Sequence, residues 1–355
     1  MKKVNVFETR LEKIGNILNN MNSPPYRFEQ VKQAIYNNGI ESYSEISTLS
    51  KDLREVVIEK LGDKVLSLTN IYEMEGGQAQ KILFETTDRQ RIETVRMLFK
   101  PTDERDYFHS SLCISSQSGC VLACKFCATG AIGFKKNLTA DEIADQVLYF
   151  KQKKLPAGSV SFMGMGEPFA NPNLWEAIKI LTDKDKIGIS RHKISVSTVG
   201  LVPGIERLTK EFPQINLAFS LHTPFSDQRA ELMPITKAYS IETVMESVKK
   251  YVLATNNKVF IAYALMEGTN DSLEHAKALV SLIKKQGAKS YLYHVNLIRF
   301  NPGPGTVEFK RPSVTRVDKF MEIIEKAGIR VTLRQSFGLD IYAACGQLYG
   351  KYENN

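Results

Sequence analysis

Three of the five cysteines in this 355-residue chain fall within eight positions: Cys120, Cys124 and Cys127 of CVLACKFC. Thiolates at that density bind soft metal. Structural zinc takes four ligands, usually as two spaced pairs, and no second pair follows here. Three thiolates in one tight loop suit a four-iron, four-sulfur cluster with one iron left open. Such an iron can take a bidentate ligand, for example the amino and carboxylate groups of a methionine moiety. Phe126, inside the loop, is expected to shield the cluster from solvent. Cys113 in SLCIS and Cys345 in AACGQLYG stand apart; a lone cysteine is most often a small core residue.

The elements that must position this loop follow from periodicity. From about residue 111, apolar and β-branched runs (SVSFMGMGEP, KISVSTVG, NLAFSLHTP, KVFIAYALMEG, SYLYHVNLIRFNPGPG) alternate with helical stretches such as LTADEIADQVLYFKQKK and IETVMESVKKYVL. Strands alternating with helices imply a parallel sheet with right-handed crossovers. Counting the strand that leads into the cysteines gives six units, hence an α/β fold: a partial (β/α)6 barrel, open on one side. Chemistry in such folds sits at the C-terminal ends of the strands. Those ends carry Gly166 and Glu167 (GMGEP), Ser197 (STVG), Ser220, Leu221 and His222 (SLH), and Asn301 (FNP). Alone, each reads as a cap or a turn. On one barrel face they read as a ligand cleft.

Residues 1–100 read as a smaller, mainly helical accessory unit, with helices in PPYRFEQVKQAIYNNG and SYSEISTLSKDLREVVIEKLG. Two strands then turn at TTDRQ, and PTDERDYFHS is a linker. Residues 101–340 form the core and 341–355 a C-terminal extension. No run approaches the ~18 apolar residues of a membrane span. Glu8, Arg10, Glu12 and Lys13 interrupt any signal-like start. The expected compartment is the cytoplasm, where thiols stay reduced and clustered cysteines mean metal or redox chemistry. The net charge is +8, diffuse and mostly beyond residue 64, which is compatible with a polyanionic partner such as RNA without requiring one. Lys135, Lys136 and Arg299 are candidate contacts; solvated surface charge is the plainer reading.

CxxxCxxC ahead of a barrel-like run resembles the radical S-adenosylmethionine (SAM) superfamily. The longer stretch LCISSQSGCVLACKFCATGAIGFKKNLTADEI, with SFMGMGEP, HVNLIRFNP and DIYAACGQLYG, resembles the RlmN/Cfr family of radical SAM rRNA methyltransferases over nearly the whole chain. The resemblance implies methylation of an adenine ring carbon, at position 2503 of 23S rRNA, with two SAM molecules per turnover. The first SAM would methylate Cys345. The second would be cleaved reductively at the cluster, and the radical formed would take a hydrogen from the methylthio group. The carbon radical left on Cys345 would then add to the ring. Cys113 would resolve the adduct as a transient disulfide with Cys345, and Glu93 would accept the ring proton.

The resemblance further implies a 4Fe-4S cluster on Cys120, Cys124 and Cys127, SAM held by the strand-end residues, a flavodoxin-type electron donor and a monomer. Arg299 in NLIRFNP and the GQLYG ending resemble the C8-methylating branch, whose product obstructs peptidyl-transferase antibiotics. Pro168 resembles the C2-methylating branch, which would add tRNA as a second substrate, and Ser118 stands where the best-known C8-methylating sequences have an extra cysteine. C8 is the expectation and C2 the alternative. A radical SAM enzyme acting on protein or a small molecule would not need Cys113 and Cys345. A non-enzymatic iron–sulfur RNA-binding module would never cleave SAM.

Overall fold

The computed structural model describes residues 7–101, 109–155, 157–306 and 308–350. Helix α1 (Arg10–Asn20) opens on a capping box between Thr9 and Glu12. It packs with α2 (Tyr26–Gln33) and α3 (Lys51–Leu61) around Ile14, Val31, Ile35 and Val57. Strands β1 (Leu68–Gly76), β2 (Ala79–Thr86) and β3 (Arg91–Phe99) follow as an antiparallel meander. The turn at TTDRQ joins β2 to β3 as the sequence implied. Most of the linker expected over 101–110, residues 102–108, lies outside the described residues.

Strand β4 (His109–Cys113) pairs antiparallel with β3 and parallel with β7 (Ser159–Phe162). Between them lie the short pair β5 (Gln117–Ser118) and β6 (Lys136–Asn137), the cysteine loop, α4 (Ala128–Ile132) and α5 (Ala140–Gln152). The parallel series continues through β8 (Ile194–Thr198), β9 (Asn216–Ser220), β10 (Val259–Leu265), β11 (Tyr293–Arg299) and β12 (Arg330–Leu333). The intervening helices are α6 (Leu174–Thr182), α7 (Val202–Glu211), α8 (Ser226–Leu232), α9 (Ile241–Thr255), α10 (Leu273–Lys284) and α11 (Val314–Lys326). Their apolar faces, such as Ile241, Val244, Val248 and Val252 of α9, close over the sheet at helical spacing.

The six expected parallel strands are present, and β12 is a seventh. Its residues alternate between exposed and half-buried, so it shows no apolar run. The sheet has ten strands and stays open: among the described residues its edge strands, β1 and β12, do not pair. Of the first hundred residues only α1–α3 stand off the sheet, because β3 continues into it through β4. Those helices are held to the core by Arg10, whose guanidinium donates to both oxygens of Asp145 on α5 at 2.8 and 2.6 Å. No helix among the described residues is long and apolar enough to cross a membrane.

Candidate active site at the strand ends

The cysteine loop leaves β5 through Gly119, whose φ is +69°. A Cβ there would lie 1.8 Å from the Gly133 carbonyl oxygen, so only glycine permits the loop to close on itself. Cys120, Cys124 and Cys127 all line one cavity of about 190 Å³ at the strand ends. Among the described residues, no three His, Cys, Asp or Glu side chains form a site for a single metal ion. Three thiols along one loop are compatible with a polynuclear cluster, where each thiolate binds a different iron. Burial, and then the neighbouring thiols, push the Cys124 thiol up, and Cys120 is pushed up to about 12, chiefly by burial. Phe126 is buried and packs edge-on to the His222 ring with centroids 4.8 Å apart, although Val121, Ala123 and Lys125 of the same loop are exposed.

The strand tips complete the cavity. Gly166, Glu167, Ser197, Ser220, His222 and Asn301 all line it. Gly166 has φ +97°, and a Cβ there would meet the Gln117 Cβ at 2.5 Å. Glu167 accepts the backbone N–H of Val199 at 3.0 Å and of Phe169 at 3.2 Å. Burial raises its carboxyl to about 7. A buried carboxyl in that state is matched to an incoming ammonium group. His222 accepts the Ala264 N–H on Nδ1 at 2.9 Å. Its neutral ring therefore carries the proton on Nε2, and burial, with Arg229 beside it, lowers its pKa to about 3. Ser197 and Ser220 share a hydrogen bond of 3.2 Å across β8 and β9.

Leu221 differs from the other strand-end candidates. Its side chain is fully buried, it is not a lining residue, and its N–H donates to the Ala262 carbonyl at 3.1 Å. Its carbonyl accepts from Nε of Arg229 at 3.0 Å. Arg229, itself fully buried, also donates to the carbonyls of Val199 at 2.7 Å and Ser220 at 3.0 Å. One guanidinium thus fixes the tips of two neighbouring strands. An arginine inside the polar-looking α8 (SDQRAEL) reads as surface charge, which is why the sequence hid it.

The C-terminal tail closes the site. Cys345 lines the main cavity and also a smaller one of about 30 Å³ shared with Cys113, Met163, Asn301 and Arg334. That second space has room for thiols and about a water or two, not for a purine. Cys113, at the end of β4, is buried; burial first, then Cys345, push its thiol up to about 12, while Arg334 works in the opposite direction. Arg334 follows β12 and its NH1 donates to the Met163 sulfur at 3.4 Å. The sequence offered no signal for it, because the strand that delivers it was itself invisible.

Glu93 is buried on β3 and lines neither cavity. Its carboxylate forms an ion pair with Lys81 at 3.3 Å. Lys136 is held by Asp88 at 2.8 Å and Glu142 at 2.9 Å, and Arg299 donates to the Pro312 carbonyl at 2.8 Å.

Comparison with known proteins places this geometry. Residues 114–280 match the model of the Radical SAM superfamily. The chain is 47% identical, over 98% of both chains, to the Ribosomal RNA large subunit methyltransferase Cfr of Clostridium botulinum. It is 45% identical, again over 98% of both, to the protein of that name in Staphylococcus aureus. Among solved structures, a radical SAM methyltransferase from Sphaerobacter thermophilus superposes with a TM-score of 0.88 at 36% identity, covering 97% of this chain and 98% of that one.

Proposed function

The chain belongs to the RlmN/Cfr family of radical SAM rRNA methyltransferases, and from that premise we propose that it methylates C8 of adenine 2503 in 23S rRNA, with Cys345 as the methyl carrier. The product would confer resistance to antibiotics that bind the peptidyl-transferase region. The C8 assignment follows the Cfr relatives, and one observation supports the carrier role. Cys345 borders both the cavity of the three loop cysteines and the chamber of Cys113. A radical SAM enzyme acting on protein or a small molecule would not need that arrangement.

Cys120, Cys124 and Cys127 would hold the 4Fe-4S cluster, and Gly166, Glu167, Ser197, Ser220, His222 and Asn301 would hold SAM. When bound, cluster and SAM supply a methyl group and an organic radical that can take a hydrogen atom. The chain's own residues do the rest. Glu167 and the strand-end hydroxyls orient the ligand's charged end. Phe126 and the apolar walls exclude water, and His222 stays a neutral donor. Asn301 Nδ2 donates to the Cys345 carbonyl at 3.3 Å and so ties the carrier to the ligand wall.

Once the Cys345 sulfur is joined through a methylene to the base, and the adduct radical has given up its ring proton to a base and one electron to an acceptor, a role the oxidised cluster on Cys120, Cys124 and Cys127 would fill, Cys113 releases it. The Cys113 thiolate pair forms the S–S bond. The S–CH2 bond breaks, its electron pair passes to the carbon, and that carbon takes a proton to become the new methyl. Residues 1–100 would recognise RNA, with the target base extruded into the pocket, and 341–355 form the carrier tail. The chain acts as a cytoplasmic monomer, supplied with electrons by a flavodoxin-type donor.

The test is mass spectrometry of adenine nucleosides from 23S rRNA of cells that lack the housekeeping C2 enzyme and express this chain. 8-Methyladenosine is expected, and Cys345→Ala abolishes it with the cluster intact. 2-Methyladenosine alone would assign the C2 branch, which Pro168 favours, and with it tRNA as a second substrate. Neither product, from a cluster-loaded chain, refutes the reading.

A further inference from the structure

Two opposite charges are sealed inside the sheet beside the tail, and the reaction has no use for the positive one. Lys81 on β2 and Glu93 on β3 are 2% and 1% exposed. They sit diagonally across an antiparallel ladder in which Leu83 faces Glu93 and Lys81 faces Val95. Nζ of Lys81 lies 3.3 Å from Oε1 of Glu93. Desolvation makes such a pair a weak source of net stability, and an apolar pair would fill the same space.

What the charges do is reach the tail. Nζ of Lys81 donates to the Tyr342 carbonyl at 3.1 Å, and the Tyr349 N–H donates to Oε2 of Glu93 at 3.1 Å. These anchors lie three residues before and four residues after Cys345. The loop between them is not relaxed backbone, since Tyr342, a non-glycine, has φ +50°. An isolated tail would not hold that turn.

We propose that the Lys81–Glu93 ion pair pins both ends of the Cys345 loop and sets where its sulfur hangs between the two cavities. Both are positioning residues. This rests on the carrier role of Cys345, and it gives Glu93 a different task from accepting the ring proton. Glu93 borders neither cavity, and each of its oxygens already has a partner. The two tasks differ in what they ask of Lys81: a pin needs it as much as Glu93, whereas a proton acceptor works without it.

The experiment is amide exchange, read by mass spectrometry on the full-length, cluster-loaded chain without SAM or RNA, followed by a count of 5′-deoxyadenosine formed per methyl transferred. Lys81→Met leaves Glu93 buried without its cation, so the double variant Lys81→Met/Glu93→Gln, neutral at both positions, carries the test. Expected is exchange across 342–349 faster by about tenfold or more, as for losing hydrogen bonds to charged groups, with α5 and β10 unchanged. SAM cleavage continues while methyl transfer per cleavage falls. Unchanged tail exchange and unchanged coupling in the double variant overturn the proposal. So does a Glu93→Gln variant that loses methyl transfer at wild-type tail exchange beside a Lys81→Met variant that keeps it. Exchange is read without RNA, so failure of the pin is seen whatever nucleoside the enzyme makes.

Discussion

Lowering the pH should trap the enzyme on its RNA. Cys113 is buried at the end of β4, and its thiol is pushed up to about 12. The groups facing it are Cys345, whose charge raises it further, and Arg334, Ser161 and the Met163 backbone, which lower it. In the protein–RNA adduct Cys345 is a thioether and carries no charge, so burial and Arg334 remain. At the free chain's value of about 12, about one Cys113 in ten thousand would be thiolate at pH 8, against roughly a quarter of ordinary cysteines; the adduct, without the Cys345 charge, lies between these limits. The higher basicity returns part of the loss, since nucleophilicity rises by about half a log unit per pKa unit. The net handicap is at most on the order of fiftyfold. More telling is the slope: far below the pKa, resolution speeds up about tenfold per pH unit. The assay forms the adduct at low pH with labelled RNA, removes unbound SAM, jumps to pH 7, 8 or 9, and follows loss of the crosslinked band on denaturing gels. Cys113→Ala marks the unresolved limit, and Arg334→Met slows decay at each pH. A decay rate that is flat, or that levels off between pH 8 and 9 as for an exposed thiol, would refute the argument from burial.

Two further perturbations test the frame around the site. Arg10→Met leaves Asp145 uncompensated at 0% exposure, which costs about 3–5 kcal/mol; the melting temperature should fall by roughly 5–15 °C, and RNA binding, measured by filter retention, should weaken more than SAM cleavage. Gly166→Ala puts a Cβ against Gln117 at φ +97°; SAM affinity by calorimetry should drop about tenfold or more while the iron content stays at the wild-type level.

The parts of the site legible in the sequence are those whose signal is local. CVLACKFC and the Gly, Ser, His and Asn residues after apolar runs declare themselves because a loop needs glycine and a strand end needs a polar stop. What stayed hidden depends on contacts between distant residues. β12 is half exposed, so periodicity misses it, and Arg334 disappears with it. Leu221 sits in a legible motif, yet the pleat turns its side chain into the core while its neighbours Ser220 and His222 face the cavity. Lys81 reads as a surface lysine in an amphipathic hairpin. Its partner on the tail is 261 positions away, and no window of sequence brings the two together.

The way the tail is fastened would let a carrier cysteine change its chemistry without moving its frame. Lys81 holds the Tyr342 carbonyl and Asn301 the Cys345 carbonyl. The Ala128 N–H donates to the Gly346 carbonyl at 2.9 Å, the Thr129 hydroxyl to the Leu348 carbonyl at 2.7 Å, and Glu93 takes the Tyr349 N–H. All five bonds end on backbone atoms of the tail. The Cys345 sulfur is therefore not needed to hold its own loop in place. In the proposed carrier role it could pass from thiol to methylthio, to base adduct and to disulfide without using any of the five bonds. Ala128 and Thr129 open α4 directly after Cys127, so two of the anchors adjoin the loop proposed to hold the cluster. Disorder in that loop would loosen the carrier at the same time, and a chain without its cluster should not present a fixed Cys345 to RNA.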